Sequence, residues 1–317
     1  CEAFPPTIRN LKMPFEKKEK TCCSVVFARS AKTTLLQIVL LIFLIAAFSP
    51  VNDADFPNQA GNEPSLEITV LDSKVSPVDG KILVYVPEGD FIMGSDTGGS
   101  INNDPEHVVF LHAFWIDQTE VSNGKYLECV NRGACSPPGN QQAYGLNNHY
   151  DEIVYKDNPV EFVNWFQATE YCKWAGRRLP TEAEWEKAAR GTEGWLYPWG
   201  NDPPNRDLLN YKGSYGQVNP LGGTNKVGSY PAGASPNGAL DLAGNVSEWV
   251  ADWYEQNYYE RSPVDNPQGP LSGTTKVIRG GDWSTYDVAI YSAYRSSINP
   301  DLMLSGIGFR CTVSASQ

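Results

Sequence analysis

The chain has few histidines, 3 among 317 residues. None of the three combines with a cysteine pair at the spacing of a zinc site, so we expect no zinc at His107, His112 or His149. Basic residues are also in deficit, since 25 Lys and Arg face 37 Asp and Glu and the formal net charge is −12. An acidic chain repels the phosphates of nucleic acid, so we expect no nucleic-acid partner.

Long apolar runs are absent apart from residues 35–48 (LLQIVLLIFLIAAF). Residues 1–50 carry seven Lys or Arg and three acids, a net +4, which leaves −16 for the rest of the chain. An apolar run with basic residues before it and acids after it is typical of a membrane anchor with a cytoplasmic N-terminus. We predict a cytoplasmic basic segment at 1–32, one transmembrane helix at 33–51 and an exported body, periplasmic or extracellular. A cleaved signal peptide has the same pattern, and we favour the uncleaved anchor.

The seven cysteines fall into two groups. The predicted cytoplasmic segment holds three, for which acylation and free thiols both stay open: Cys1, Cys22 and Cys23. The exported body holds four, and an even number in an oxidising compartment predicts two disulfides. Cys129 and Cys135 stand close together in the sequence, and we expect them to close a short local loop.

The exported body divides into a linker and a folded domain. Residues 52–78 are rich in Asn, Asp, Pro and Ser with little periodicity, which predicts a linker. The folded domain is predicted at 79–315. Alternating apolar residues predict its first strands, and apolar periodicity predicts its helices. The strands are expected at 82–86 and 91–93, and the helices at 119–130, 164–175 and 181–190.

Two further patterns describe this domain. Thr181 and Glu184 have the spacing of a capping box at the start of the last helix. Residues 191–281 are dense in Gly, Pro, Asn and Asp but also in Trp and Tyr. That composition predicts long packed loops rather than disorder.

Four sequence islands follow one another along the domain. They are GDFIMGSD at 89–96; NPVEFVNWFQATEYCKWAGRRLPTEAEWEKAARG at 158–191; YPWGND at 197–202 with LDLAGNVSEWVADWY at 240–254; and VIRGGDWS, YRSSINPD and GIGFRC within 277–311. In this order and spacing they resemble the formylglycine-generating enzyme (sulfatase-modifying factor) family over about 79–312. The resemblance implies an α+β, C-type-lectin-like fold rich in loops, preceded here by one N-terminal transmembrane helix.

A loop-rich fold needs large rings and buried charges to hold its loops. We therefore expect the tryptophans of the islands in the core: Trp185, Trp199, Trp249, Trp253 and Trp283. The island arginines are expected to form buried pairs with carboxylates such as Glu182, Glu184 or Asp252; these arginines are Arg178, Arg279 and Arg310.

The resemblance also implies bound calcium, as one or two ions. The segment DLAGNVSE supplies the oxygen ligands that calcium prefers. The first implied site consists of Asp241, Gly244, Val246 and Glu248. The second consists of Asn210, Tyr211, Asn219 and Leu221. Asn219 stands where the family usually has Asp, and the lost charge would weaken the second site. The alternative is that Asp241 and Glu248 only accept hydrogen bonds from loop amides.

The family's oxidase chemistry depends on two thiols that bind Cu(I), expected between RGG and the following YR. Here that interval is residues 282–293 (DWSTYDVAIYSA), and it contains no cysteine. Ser284 and Asp287 offer hard oxygen ligands, which do not replace thiolates. Cys172 and Cys311 correspond to a disulfide of the family. We therefore expect neither copper nor formylglycine formation.

Three functions remain open. Our prediction is a non-catalytic binding or structural subunit of a membrane protein complex, with other membrane or extracytoplasmic proteins as partners. The second is an oxidase of the family with chemistry other than the copper–thiolate pair; its sulfur-bond-forming branch needs a partner domain with clustered histidines, which this chain lacks. The third is a domain that binds a peptide in the family's groove to regulate or present it.

Overall fold

Strand pairing begins at Ser73, inside the range 52–78 that composition predicted as a linker. The computed structural model describes residues 72–96, 103–139, 150–213 and 223–316, which lie in one compact unit, Glu67–Gln317. The folded domain starts earlier than predicted because Ser73–Val75 pairs with the first three residues of the strand Ile82–Val86. This first strand is short, polar and largely exposed, so it carries no apolar alternation that a sequence could reveal.

The strands in the described part of the chain form three small sheets. In chain order they are β1 Ser73–Val75, β2 Ile82–Val86, β3 Gly89–Met93, β4 His107–Leu111, β5 Phe114–Asp117, β6 Ser247–Trp253, β7 Lys276–Arg279, β8 Ser296–Ile298, β9 Ile307–Phe309 and β10 Thr312–Ser314. The sheets have the orders β1-β2-β5-β10, β3-β4 and β8-β7-β6-β9. Neighbours are antiparallel except β6 and β9, which run parallel. The predicted strands at 82–86 and 91–93 are confirmed, the second beginning two residues earlier.

The described residues between β5 and β6 form three α-helices: α1 Asn123–Asn131, α2 Trp165–Trp174 and α3 Glu182–Arg190. The ends of α2 and α3 agree with the prediction to within one residue. The capping box of α3 is confirmed, since Thr181 Oγ1 accepts from Glu184 N at 3.1 Å and Thr181 N donates to Glu184 Oε2 at 2.8 Å. Helix α1 starts later than predicted because Val121 N donates to the Phe309 carbonyl, which holds that residue in extended pairing.

Loops make up most of the rest, as the composition of 191–281 predicted. Between α3 and β6 the only helical turn in the described residues is the 3₁₀ helix Pro231–Gly233. The other described 3₁₀ helices are Ile153–Tyr155, Tyr258–Arg261 and Asp287–Ile290. These elements and the sheets make an α+β domain, in agreement with the predicted class.

The core tryptophans are fewer than expected. Trp185 and Trp249 are fully buried. Trp199, Trp253 and Trp283 are only half-buried, so their assignment to the core is wrong. Trp199 shows the reason: its ring stacks on Tyr197 with centroids 4.8 Å apart and covers the loop from outside. In a loop-rich fold, rings shield backbone from solvent as well as filling the interior.

Buried arginines bind α3 to β7 and β8. Arg279 contacts both Glu186 and Glu182. Arg295 forms a bidentate pair with Glu182, at 2.6 and 2.8 Å. Fully buried guanidinium groups are tolerated only when carboxylates and carbonyls surround them in this way.

The buried arginine–carboxylate pairs predicted for Arg178 and Asp252 are not found as predicted. Arg178 does contact Glu184, at 2.6 and 2.7 Å, but its side chain is 45% exposed rather than buried. Asp252 was an expected arginine partner; instead its Oδ2 accepts a hydrogen bond from Glu182 N at 2.7 Å. Sequence alone does not distinguish a carboxylate that pairs with arginine from one that accepts from the first turn of a helix.

The predicted segments 1–32 and 33–51 lie outside the described residues. Within the ranges that are described, no helix has both the length and the apolar character needed to cross a membrane.

Candidate functional site

The turn that precedes β6 places several backbone and side-chain oxygens in the interior. Asp241, Gly244 and Asn245 all have positive φ, at 58°, 76° and 60°. Such angles are unfavourable for residues other than glycine, so tertiary contacts must hold them. At Gly244 a Cβ would collide with the Asn210 carbonyl, and the next residue, Asn245, donates its N–H to that same carbonyl at 2.8 Å.

Asn245 joins three separate segments through its side chain. Its Nδ2 donates to Glu120 Oε1 at 2.9 Å. Its Oδ1 accepts from Asn225 N at 2.9 Å and from Asn210 Nδ2 at 3.2 Å. The amide therefore fixes the segment after β5, the loop at 223–228 and the segment around Asn210 against one turn.

Glu248 is one of the predicted calcium ligands, and in this structure its carboxylate is fully engaged. Arg310 donates to both of its oxygens at 2.7 Å, and Trp185 Nε1 donates to Oε2 at 2.8 Å. Arg310 also donates to the carbonyls of Asp117, Gln118 and Leu240. The pair is thus a link between β6 and the segment that leaves β5.

Asp241 and Glu120 have no such cationic partner in the described residues. Asp241 Oδ2 accepts from Gly228 N at 2.6 Å. Glu120 is completely buried, and its Oε2 receives no hydrogen bond from the described part of the chain. Burial, together with the neighbouring Asp241, raises the pKa of Glu120 well above its usual range. Burial likewise raises the pKa of Asp241. Two facing carboxyl groups in a buried position require a proton or a cation between them.

Some observations fit calcium and some do not. The Oδ1 of Asn210, which is buried, has no hydrogen-bond partner among the described residues, as expected for a cation ligand. Against this, Glu248 is directed to Arg310, and no three Asp, Glu, His or Cys side chains in the described ranges converge as a metal site. A cation here would depend on amide and backbone oxygens as well as on carboxylates, which calcium accepts.

The structure brings some of the residues predicted for the two calcium sites close together. Asp241, Gly244 and Asn210 meet at the turn, and Val246 is buried in it. The Tyr211 side chain is buried in a small cluster with Tyr197 and Ile290. The last two residues predicted for the second site, Asn219 and Leu221, lie outside the described residues. Sequence reasoning missed Glu120, which stands in no ligand-spaced motif, and Asn245, which lies within DLAGNVSE but received no role there.

Residues 282–293, where the thiols would stand, fold as a compact loop. Asp282 Oδ1 accepts from the N–H and the hydroxyl of Ser284, both at 2.7 Å. Arg279 holds the end of the loop by donating to the carbonyls of Ser292, Ala293 and Tyr294. The middle of the loop is presented to solvent, with Tyr286 54% and Val288 56% exposed.

Both predicted disulfides are present. Cys129 is bonded to Cys135, and Cys172 in α2 is bonded to Cys311 between β9 and β10. These four are the only cysteines after residue 23. The described domain therefore has no free thiol.

Curated relatives include proteins with different activities. "Serine/threonine-protein kinase pkn1" of Chlamydia caviae is 35% identical over 254 residues, covering 72% of this chain. The chain spans only 37% of that relative's own length. The formylglycine-generating enzyme of Streptomyces coelicolor is 34% identical over 282 residues, covering 73% of this chain and 89% of the enzyme.

The comparison of folds agrees with the comparison of sequences. The structure named Treponema denticola variable protein 1 matches with a TM-score of 0.62 at 22% identity, over 77% of this chain and 99% of that one. At that identity the match shows the fold alone. Residues 70–315 match the model of the sulfatase-modifying factor enzyme 1-like domain. With the whole folded domain inside that match, and with a formylglycine-generating enzyme 34% identical along most of its length, the chain belongs to the sulfatase-modifying factor family.

Proposed function

We propose that this domain is a non-catalytic member of the family that serves as a binding or structural subunit of a membrane protein complex. The observation that carries the proposal is the state of the cysteines. All four in the domain are in disulfides, and the loop at 282–293 contains none. Copper–thiolate chemistry needs soft thiolate ligands, and the hydroxyl and carboxylate groups of this loop are hard ligands.

The same loop supports a binding role. Where the oxidase is expected to carry its thiols, this chain exposes an aromatic and an aliphatic side chain, Tyr286 and Val288. Exposed aromatic groups on a loop held by a rigid frame are typical contact residues of protein interfaces. Arg279 supplies that frame by hydrogen bonding to the end of the loop. We therefore propose this loop as the contact surface.

The chlamydial relative adds a second line of support. It is named as a kinase, and the matched region is 37% of its length, so the family domain occurs there joined to other sequence. A domain that is attached to different proteins suits recognition or assembly. For this chain we propose attachment to a membrane through residues 33–51, with a cytoplasmic N-terminus and a periplasmic or extracellular domain.

Affinity purification of the full chain from its native membranes tests this function. We expect partner proteins in stoichiometric amounts, and we expect the double variant Tyr286→Ala with Val288→Ser to lose them. The control is Leu271→Ser, which removes an even more exposed apolar side chain from another loop. A wild-type chain that purifies alone, or partners that survive the double variant and the control equally, would contradict the proposal.

The 34% identity to a formylglycine-generating enzyme keeps an oxidase as the second candidate. We expect no aldehyde when the full chain is incubated with Cu(I) and a cysteine-containing sulfatase peptide, because no thiol of the domain is free to bind the metal. The Streptomyces coelicolor enzyme is the positive control, and mass spectrometry of the peptide is the measurement. Aldehyde formation by the chain under these conditions would support the oxidase and reject the binding role.

Calcium is a separate proposal. We propose that Asp241, Gly244 and Val246 contribute oxygens to one ion, and that Asn210, with its unpartnered Oδ1, contributes to a second with Tyr211, Asn219 and Leu221. Calcium would be structural here, because it would tie the turn before β6 to neighbouring loops. The bidentate pair with Arg310 leaves Glu248 as the least suited of the expected ligands.

A further inference from the structure

The interior beneath the turn before β6 has more negative than positive charge. Three carboxyl groups, those of Glu120, Asp241 and Glu248, lie around one guanidinium, that of Arg310. Arg310 donates to both oxygens of Glu248 and so neutralises that group. No Lys or Arg among the described residues forms a salt bridge with either of the other two acids.

Glu120 and Asp241 also face each other. Their carboxyl groups are within hydrogen-bonding reach. Each also accepts one hydrogen bond from elsewhere, Glu120 Oε1 from Asn245 Nδ2 and Asp241 Oδ2 from Gly228 N. Glu120 Oε2 has none, although Glu120 is completely buried. An unsatisfied buried carboxylate oxygen is costly and requires a partner.

We propose that Glu120 is a ligand of the cation held by Asp241, and that its Oε2 is the ligating atom. The proposal rests on the calcium proposed for Asp241 and adds a residue from a different part of the chain. Two carboxylates with amide and carbonyl oxygens around them form the oxygen-rich surroundings that calcium prefers. Asn245 holds Glu120 in position through Oε1, which leaves Oε2 directed to the cation.

A position for Glu120 in the site has a structural consequence. Glu120 directly follows the segment that leaves β5, and Asp241 begins the turn that leads into β6. A cation between them would join the sheet β1-β2-β5-β10 to the sheet β8-β7-β6-β9 by ligand bonds, next to the Arg310–Glu248 pair that already links the same two segments.

Calcium titration of the full chain in detergent, after treatment with chelator, tests the assignment. The test variant is Glu120→Gln, whose Oε1 can still accept from Asn245 but whose amide has lost the charge. We expect calcium to bind the wild type, and the variant to bind about tenfold or more weakly, because calcium affinity follows the number of charged ligands. The melting temperature of the variant should no longer respond to chelator. Glu120→Asp keeps the charge and provides a second variant if the first fails to fold.

Asp252→Asn is the matched control, since Asp252 is also a buried carboxyl of the domain but lies in another cluster. It should bind calcium as the wild type does. Unchanged affinity in Glu120→Gln would overturn the assignment of Glu120 while leaving calcium at Asp241. A wild type that binds no calcium, with Glu120→Gln as stable as wild type or more stable, would overturn both and indicate a proton shared by the two acids. Neither result would affect the proposed binding role of the loop at 282–293.

Discussion

Arg310 makes five side-chain hydrogen bonds at the site. It neutralises Glu248 and donates to three backbone carbonyls, all in a fully buried position. The planar guanidinium is suited to such a role because its donors are fixed in one plane. This accounts for the GFR island as a structural motif.

Replacing Arg310 with Met should destabilise the domain by about 3–5 kcal/mol, because the change leaves Glu248 charged and unpaired in the interior. Urea unfolding followed by tryptophan fluorescence measures the effect. Arg261→Met is the control, since Arg261 pairs with Glu255 at the surface, and we expect an unchanged unfolding midpoint. Equal losses for the two variants would show that the buried pair contributes no more than the exposed one.

Asp252 should make stability depend on pH. Burial, together with the nearby Glu182, raises the pKa of Asp252 from 3.8 to about 8. Glu184 opposes its ionisation further, and Arg295 favours it. Because the folded state binds this proton more tightly than the unfolded state, the contribution is complete below about pH 4 and is lost as the pH rises towards 8. Asp252→Asn should reduce this loss, so the stability of the wild type relative to the variant should fall between pH 4 and 8. A parallel pH dependence in the two proteins would contradict the assignment.

At the scale of elements, the two disulfides are expected to stabilise the domain by unequal amounts. The Cys172–Cys311 bond closes a separation of 139 residues, and the Cys129–Cys135 bond closes only 6. The longer loop loses more freedom in the unfolded chain when it is closed. The first bond also fixes α2 to the segment between β9 and β10.

Changing both Cys172 and Cys311 to Ala should therefore lower the free energy of unfolding by roughly 4–5 kcal/mol, and changing both Cys129 and Cys135 by about 2 kcal/mol. Denaturant unfolding without reductant compares the two. The reverse order would mean that native packing, rather than restriction of the unfolded chain, decides the difference.

Local signals in the sequence predicted α2, α3, the capping box of α3 and the strands β2 and β3. Those features depend on neighbouring residues, such as Thr181 and Glu184. Strand β1 was missed because an exposed edge strand of three residues has no apolar pattern. The islands also predicted the Cys172–Cys311 disulfide and the turn at Asp241 and Gly244, and the short separation of Cys129 and Cys135 predicted the other disulfide.

Which residues meet at the site depends on contacts between distant parts of the sequence, and no local sequence pattern predicts these. Glu120 and Asn245 are 125 positions apart, and only the folded chain brings them together. For the same reason the sequence assigned Glu248 to calcium, whereas its carboxylate meets Arg310 from a third segment. Motif spacing indicates which residues approach a turn, and packing decides what each of them contacts.

At the scale of the whole molecule, calcium should raise the melting temperature. A ligand that binds only the folded state stabilises it by about 2.7 kcal/mol at 100 times its Kd. For a domain of this size that corresponds to roughly 5–10 °C. Differential scanning fluorimetry with calcium and with chelator is the measurement, and magnesium is the control. Equal melting temperatures in calcium and chelator would contradict the calcium proposal.

The order of the first sheet also determines how the domain would respond to mechanical force. Strands β1 and β10 are its two edges, and because all its neighbours are antiparallel, the chain enters β1 and leaves β10 at the same end. Three strand spacings separate these points, about 14 Å. Tension between the two ends would peel the edge strands one hydrogen bond at a time. On the β10 side the peeling would stop at Cys311, whose covalent bond to α2 carries the force past the sheet and into the helix.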